Sequence, residues 1–417
     1  MNIAKIKSLL SEYKKVIENY IFMTVLYFFK SFFLLLIYPY VISKIGVEQY
    51  GVYVFAFSIV TVFTVFIAFG FDLPALKEVS ENRNDIQKKQ LIFSKVFFAK
   101  IYLLIFSTIV FYIVSLFLSG TIEQHQDILW IVYLQVLSSL FLPVWYYQAI
   151  QRMKVMVIFQ CLLKILCLPF IYFLVKEKND LNAFAWIMSL EVLLSALVAF
   201  FALIKVEKIK LQFQSPSAVQ PLLKESTPFF LTNIIATIKD QGVVWILGAF
   251  FSMREVAIYD LAQKIVIVPR TIFIQLNTAL FPKLINELSA DKIKKLIKIE
   301  FPMGLFVIVL MLLFGDKIVY VLGNGQLPEA YIPSVILSIT VATWLVVSCY
   351  INFVFLAQKK SFFVTKNQLY AFLSLWISMA LGLLLYKHIL VIPIAMAISA
   401  CVEMLYCVYV AQRYRML

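Results

Sequence analysis

Apolar residues run in blocks of about 20, each closed by charged or turn-forming residues, twelve times along the chain. A helix of that length crosses the roughly 30 Å hydrocarbon core of a bilayer. The pattern therefore predicts transmembrane helices at 20–43, 48–71, 92–118, 128–148, 155–175, 182–204, 228–250, 256–281, 299–321, 332–356, 362–385 and 389–411. The first block follows a charged amphipathic stretch carrying Lys5, Lys7, Lys14 and Lys15 and has no small-residue cleavage site behind it, so it reads as a retained helix and not as a signal peptide. Between blocks, Asp72 to Lys95 and Pro282 to Lys298 mix Lys with apolar residues at helical spacing, which predicts short amphipathic helices on the inner leaflet.

The longest polar linker, 205–227, holds Ser215, Pro216, Ser217 and Pro221 and lies near mid-chain. It divides the chain into an expected N-terminal six-helix lobe at 1–204 and a C-terminal six-helix lobe at 228–417. The stretch from Ile45 to Tyr53 resembles that from Phe251 to Tyr259 at an offset of 206 residues, and the same offset pairs Lys77 with Lys283. A repeat of this kind predicts two pseudo-symmetric bundles with a site between them.

Composition fixes the solvent. Of 417 residues 63% are hydrophobic and 14% charged, with 39 Phe and 22 Tyr, more apolar surface than a soluble domain can hide. The fold class is thus all-α and polytopic, with no room for a sizeable soluble catalytic module. The net charge of +14 reports topology and contact with anionic headgroups and not nucleic acid. With the N-terminus inside, 24 cations fall on the cytoplasmic side, from Lys5 to Arg415 and including Lys359, against 6 outside. Both termini are therefore expected in the cytoplasm.

Several chemistries lack their parts. His125 and His388 sit near the ends of different helices without clustered ligands, so no metal site is expected. Cys161, Cys167, Cys349, Cys401 and Cys407 all fall in apolar spans, as small hydrophobes. No GxxxxGK[ST] loop is present, so no nucleotide cofactor is expected, and any driving force comes from an ion, potential or substrate gradient. Tyr146 and Tyr147 read as part of an interfacial aromatic belt.

A charge at the bilayer centre costs at least about 2.5–3.5 kcal/mol, so one held there faces a partner or a polar cavity. Lys30, Lys100, Lys164, Lys239, Lys264 and Arg270 fall inside the expected spans, whereas Lys366 is close enough to the cytoplasmic face to snorkel. The deep carboxylates are Glu191, Asp240, Asp260 and Glu403, with Asp72 interfacial. Asp260 and Lys264 are spaced for an intrahelical pair, and Glu191 is available to a neighbouring lysine. Six cations against four carboxylates leave a positive surplus, which calls for an anionic ligand such as a diphosphate. Arg270 can hold one bidentately and the lysines as point charges. The candidate cavity cations are Lys30, Lys164, Lys239, Lys264 and Arg270, and the candidate ion-coupling or gating acids are Asp72, Glu191, Asp240 and Asp260. The rival arrangement is dispersed pairing and snorkelling.

Three sets of residues carry a family resemblance. Phe69-Gly70-Phe71-Asp72-Leu73-Pro74-Ala75-Leu76-Lys77-Glu78-Val79-Ser80 resembles the segment after the second helix of Wzx-type O-antigen flippases, in the polysaccharide-transporter branch of the multidrug/oligosaccharidyl-lipid/polysaccharide exporter superfamily. Pro143 to Met153 resembles that family's segment closing the fourth helix. Pro228 to Asn233, Val256 to Ile265 and Ala279 to Pro282 resemble later blocks in the same order, with Ala149 and Ala257 where the family has Gly. Asp72 and Lys264 are family-pattern positions. The resemblance implies two lobes in alternating access that move undecaprenyl-diphosphate-linked oligosaccharide outward across the bacterial cytoplasmic membrane. It implies no enzymatic activity, a monomeric unit, and polysaccharide polymerase and chain-length proteins as partners beside membrane lipids. The competing readings are an O-antigen polymerase or membrane glycosyltransferase, and a multidrug exporter.

Overall fold

A computed structural model describes residues 3–117, 124–285, 290–358, 360–414 and 416, with the backbone alone at 3–17, 19, 20, 34, 274–285 and 290. The expectations for Lys5, Lys7, Lys14, Lys15, Lys283, Lys359 and Arg415 lie outside the described side chains. Helices make up most of the described residues, with no strand among them. In chain order they are α1 (Ile3–Ile45), α2 (Val47–Ala68), α3 (Asp72–Glu81), α4 (Ile86–Phe117), α5 (Gln126–Tyr133), α6 (Val136–Phe141), α7 (Val144–Ala149) and α8 (Met153–Leu174). There follow α9 (Leu181–Glu207), α10 (Pro216–Phe250), α11 (Met253–Ile285), α12 (Ala290–Leu322), α13 (Tyr331–Cys349), α14 (Ser361–Leu385) and α15 (Val391–Arg413).

Among the described residues ten helical segments are long and apolar enough to cross a membrane. The expected seventh and eighth spans, now α10 and α11, are not among the ten. Lys239, Asp240 and Gln241 on one, and Asp260, Gln263, Lys264 and Arg270 on the other, dilute their apolar runs. Large apolar side chains such as Phe117, Leu384 and Leu385 stand more than 80% exposed, as suits helices solvated by lipid tails.

Some boundaries differ from expectation, each for a local reason. The expected fourth span is broken into α5, α6 and α7: Pro143 has no N–H to continue the ladder, and the preceding Leu142 is extended. The amphipathic stretch after α2 is helical only as α3, because Lys88, Lys89 and Lys95 already belong to α4. The stretch from Pro282 is the end of α11 and the start of α12, with 286–289 outside the described residues. Beyond Cys349, α13 loosens into a π-helix at Tyr350–Leu356.

The chain packs as two compact units. The N-terminal unit holds the chain up to Lys30 and Ala56–Ile234. Its core gathers Phe71, Phe93, Trp145, Tyr146, Met156 and Phe200. Tyr146 and Tyr147 are thus not belt residues: the Tyr147 hydroxyl donates to the Ala199 carbonyl at 2.6 Å, and the Tyr146 ring meets Phe93 edge-on. Aromatic rings reach buried acceptors as readily as they reach an interface, so their position in the sequence does not separate the two roles. Gly70 turns the chain after α2 at φ +68°, where a β-carbon would stand 2.7 Å from Phe229 Cβ.

Much of the expected linker is fastened to this unit. Glu207 pairs with Lys89 and Arg152 at 3.3 and 3.0 Å. Gln90 donates to the Lys208 carbonyl, the Gln212 amide to Ser94 Oγ, and the Tyr102 hydroxyl to the Gln214 carbonyl. Residues 208–214 therefore lie along α4, and α10 begins at Pro216.

The C-terminal unit holds Ser31–Phe55 and Ile235–Leu417. In it α2 and α11 begin at Val47 and Met253, the two ends of the 206-residue offset. Gly51 meets the turn before α11 so closely that a β-carbon there would sit 1.9 Å from the Met253 carbonyl oxygen.

Candidate functional site

Five helices of the C-terminal unit line a cavity of about 190 Å³. Four of the five contribute residues three, four or seven apart, which share one helix face. The lining residues are Ala236, Lys239 and Asp240 on α10; Tyr259, Gln263, Val266, Ile267 and Arg270 on α11; Leu337, Thr340 and Trp344 on α13; Gln368 on α14; and Met396, Ser399, Ala400 and Glu403 on α15. Such a stripe of polar side chains on an otherwise apolar helix is stable only where it faces its own kind, and here the stripes face one another.

Lys239 Nζ lies 2.6 Å from Glu403 Oε1, with Glu403 buried and Lys239 partly so. The Arg270 guanidinium lies 4.1 Å from the centre of the Trp344 ring, a cation–π platform that fixes its plane and leaves its N–H edges available. Arg270 and Asp240 form no ion pair among the described residues. Two buried atoms on the lining, the Tyr259 hydroxyl and Gln368 Oε1, have no hydrogen-bond partner among the described residues. Buried polar atoms of this kind are expensive to leave without a partner.

The structure thus brings Lys239, Asp240 and Arg270 together, and places the remaining candidates elsewhere. Lys264 pairs with Asp260 one turn back and donates to the Tyr50 hydroxyl. Its ammonium also stands 5.2 and 5.0 Å from the Tyr38 and Tyr50 ring centres. The Tyr38 hydroxyl donates to the Ala257 carbonyl at 3.2 Å, fastening residues 31–55 to α11. In the N-terminal unit, Lys164 on α8 meets Glu191 on α9 at 2.9 Å, both buried. Lys30, half-buried on α1, is within electrostatic reach of both and forms no ion pair of its own among the described residues. Lys100, buried on α4, donates to the Ser139 carbonyl at 2.9 Å. Asp72 is exposed at the start of α3, where a carboxylate suits the helix dipole.

Tyr259, Gln263, Trp344 and Gln368 escaped the reading of charges because they carry none. The signal that finds them is polar spacing: Tyr259, Gln263 and Arg270 repeat every turn or two on α11.

Fold and site together define a polytopic membrane protein with a polar interior, the build of a membrane transporter. The chain belongs to the polysaccharide biosynthesis protein family, whose model matches residues 16–287. It is similar to an Escherichia coli (strain K12) protein called "Putative O-antigen transporter", 23% identical over 269 residues that make up 64% of each chain. The chain thus spans just under two thirds of the length of that curated relative. Among solved structures it resembles the lipid II flippase MurJ in an inward closed conformation, with a TM-score of 0.74 and 15% identity over 94% of this chain and 87% of that one. It also resembles a multidrug resistance MATE family transporter in its inward-facing conformation, with a TM-score of 0.72 and 13% identity over 92% and 94%. At these identities the likeness is one of fold.

Proposed function

We infer that the chain is a flippase of the bacterial cytoplasmic membrane that moves undecaprenyl-diphosphate-linked oligosaccharide from the inner to the outer leaflet. It is a transporter and not an enzyme. The family match and the O-antigen transporter relative support this reading, and the observation that carries it is a polar, charged cavity held by five helices of a lipid-solvated chain. Such a cavity has no use in a protein that only packs against lipid, because burying its charges costs more than replacing them with apolar side chains of equal volume.

The mechanism has two parts. The diphosphate and sugars enter the polar interior while the polyprenyl tail stays in lipid. Two six-helix lobes, 1–204 and 228–417 joined through 205–227, with both termini cytoplasmic, then alternate access as the two states differ in affinity for substrate and coupling ion. Lys30, Lys164, Lys239, Lys264 and Arg270 supply positive potential; Lys30, which forms no ion pair among the described residues, takes the largest share of the diphosphate. Among the acids, Glu191 and Asp260 are held by lysines, Asp72 sits at a helix start, and Asp240 is left to take up a coupling cation or proton.

Translocation measured in proteoliposomes tests this. Replacing Lys30 by Ala should slow movement of lipid diphosphates by about tenfold, the loss of one charge-assisted contact, whatever glycan they carry. An unchanged rate at equal protein level removes Lys30 from the mechanism.

A further inference from the structure

The deep charges are shared unevenly between the units. The N-terminal unit holds Lys30, Lys100 and Lys164 against Glu191, whereas the C-terminal unit holds Lys239, Lys264 and Arg270 against Asp240, Asp260 and Glu403. The positive surplus therefore belongs to the N-terminal unit. The C-terminal cavity is lined by two cations and two carboxylates, and a diphosphate placed in it would bring anionic oxygens against Asp240 and Glu403.

What that cavity offers instead is a mixed set of donors and acceptors. Asp240 and Gln368 Oε1 accept, the Arg270 edge donates, and the Tyr259 hydroxyl does either. Two of these atoms are buried without partners among the described residues. A ligand rich in hydroxyl groups, each able to donate and accept at once, satisfies such a set without changing its net charge. Size agrees with a small occupant: about 190 Å³ is below the roughly 300–1,000 Å³ of pockets for drug-sized ligands and enough for one ring.

We propose that the C-terminal cavity is a sugar-recognition subsite that takes a single monosaccharide ring of the lipid-linked glycan, with Asp240, Tyr259, Arg270 and Gln368 determining which sugar is accepted. The assignment rests on the flippase reading and refines it, because it separates the groups that select the glycan from those that attract the diphosphate. A site built to hydrogen-bond hydroxyls rejects a ligand lacking them far more strongly than a merely apolar pocket rejects a smaller one.

The test uses the full chain in proteoliposomes with two probes, the producing cell's own lipid-linked glycan and bare undecaprenyl diphosphate. Tyr259→Phe and Gln368→Met are the variants, chosen because each removes hydrogen-bonding atoms with little change of shape. The wild type is expected to prefer the glycan-bearing carrier by at least about tenfold, and each variant to bring that preference to within about threefold of unity, with Tm unchanged. A preference that survives both substitutions, a wild type without preference, or a parallel loss of both rates overturns the subsite. Failure of the wild type to move either carrier overturns the flippase reading itself and is visible without any variant.

Discussion

Lys164 with Glu191 and Lys239 with Glu403 are the same two functional groups, each joining a pair of helices, yet their neighbours differ. The first pair has a further lysine, Lys30, within electrostatic reach. The second lines a cavity shared with Asp240, Arg270 and uncharged hydrogen-bonding groups. An ion pair away from such a cavity acts mainly as a staple between its two helices. One on a polar cavity has water or a ligand as a second partner, so it can be loosened and remade at smaller cost.

The largest expected effect separates these two. Lys164→Ala leaves Glu191 buried without the ammonium 2.9 Å away and should destabilise the chain by about 3–5 kcal/mol. Lys239→Ala should cost less, because the cavity lets water reach Glu403. Thermal unfolding of the two variants in detergent measures the difference, and equal losses would mean that the cavity does not relieve its charges.

Next in size are the close backbone approaches, one in each unit. Gly70→Ala forces a side chain into positive φ against Phe229, and Gly51→Ala drives a methyl group into the Met253 carbonyl. Each should cost about 1–3 kcal/mol. If only Gly51→Ala also impairs transport, the alignment of α2 with α11 serves the site as well as the fold. The smallest effect expected is for Tyr50→Phe, which removes one hydroxyl from the Asp260 and Lys264 cluster and should cost about 1 kcal/mol. A much larger loss would show that this cluster, and not the cavity, sets the position of α11.

The helical membrane architecture was legible because it depends on the length of apolar runs, and lipid imposes that length on every span alike. The helix breaks at Leu134 and Leu142 were less visible, since an apolar run reads the same whether its backbone is continuous or interrupted. Asp260 with Lys264 could be read from i,i+4 spacing. The partnership of Lys239 with Glu403, 164 residues apart, depends on tertiary packing that no local pattern records. The deep cations were found by charge alone. Their division between two units came only with the fold.

Residues 205–227 look like a spacer, but α9 takes them as far as Glu207, α10 takes them from Pro216, and 208–214 are pinned to α4. Only Ser215 stands outside all three, so this connection is a leash without slack. Lengthening it, or grafting a reporter into it, would strip partners from Gln90, Ser94 and Tyr102. The turn at Lys176–Asp180, held by two backbone amides on the Asp180 carboxylate, is the more forgiving place to insert foreign sequence.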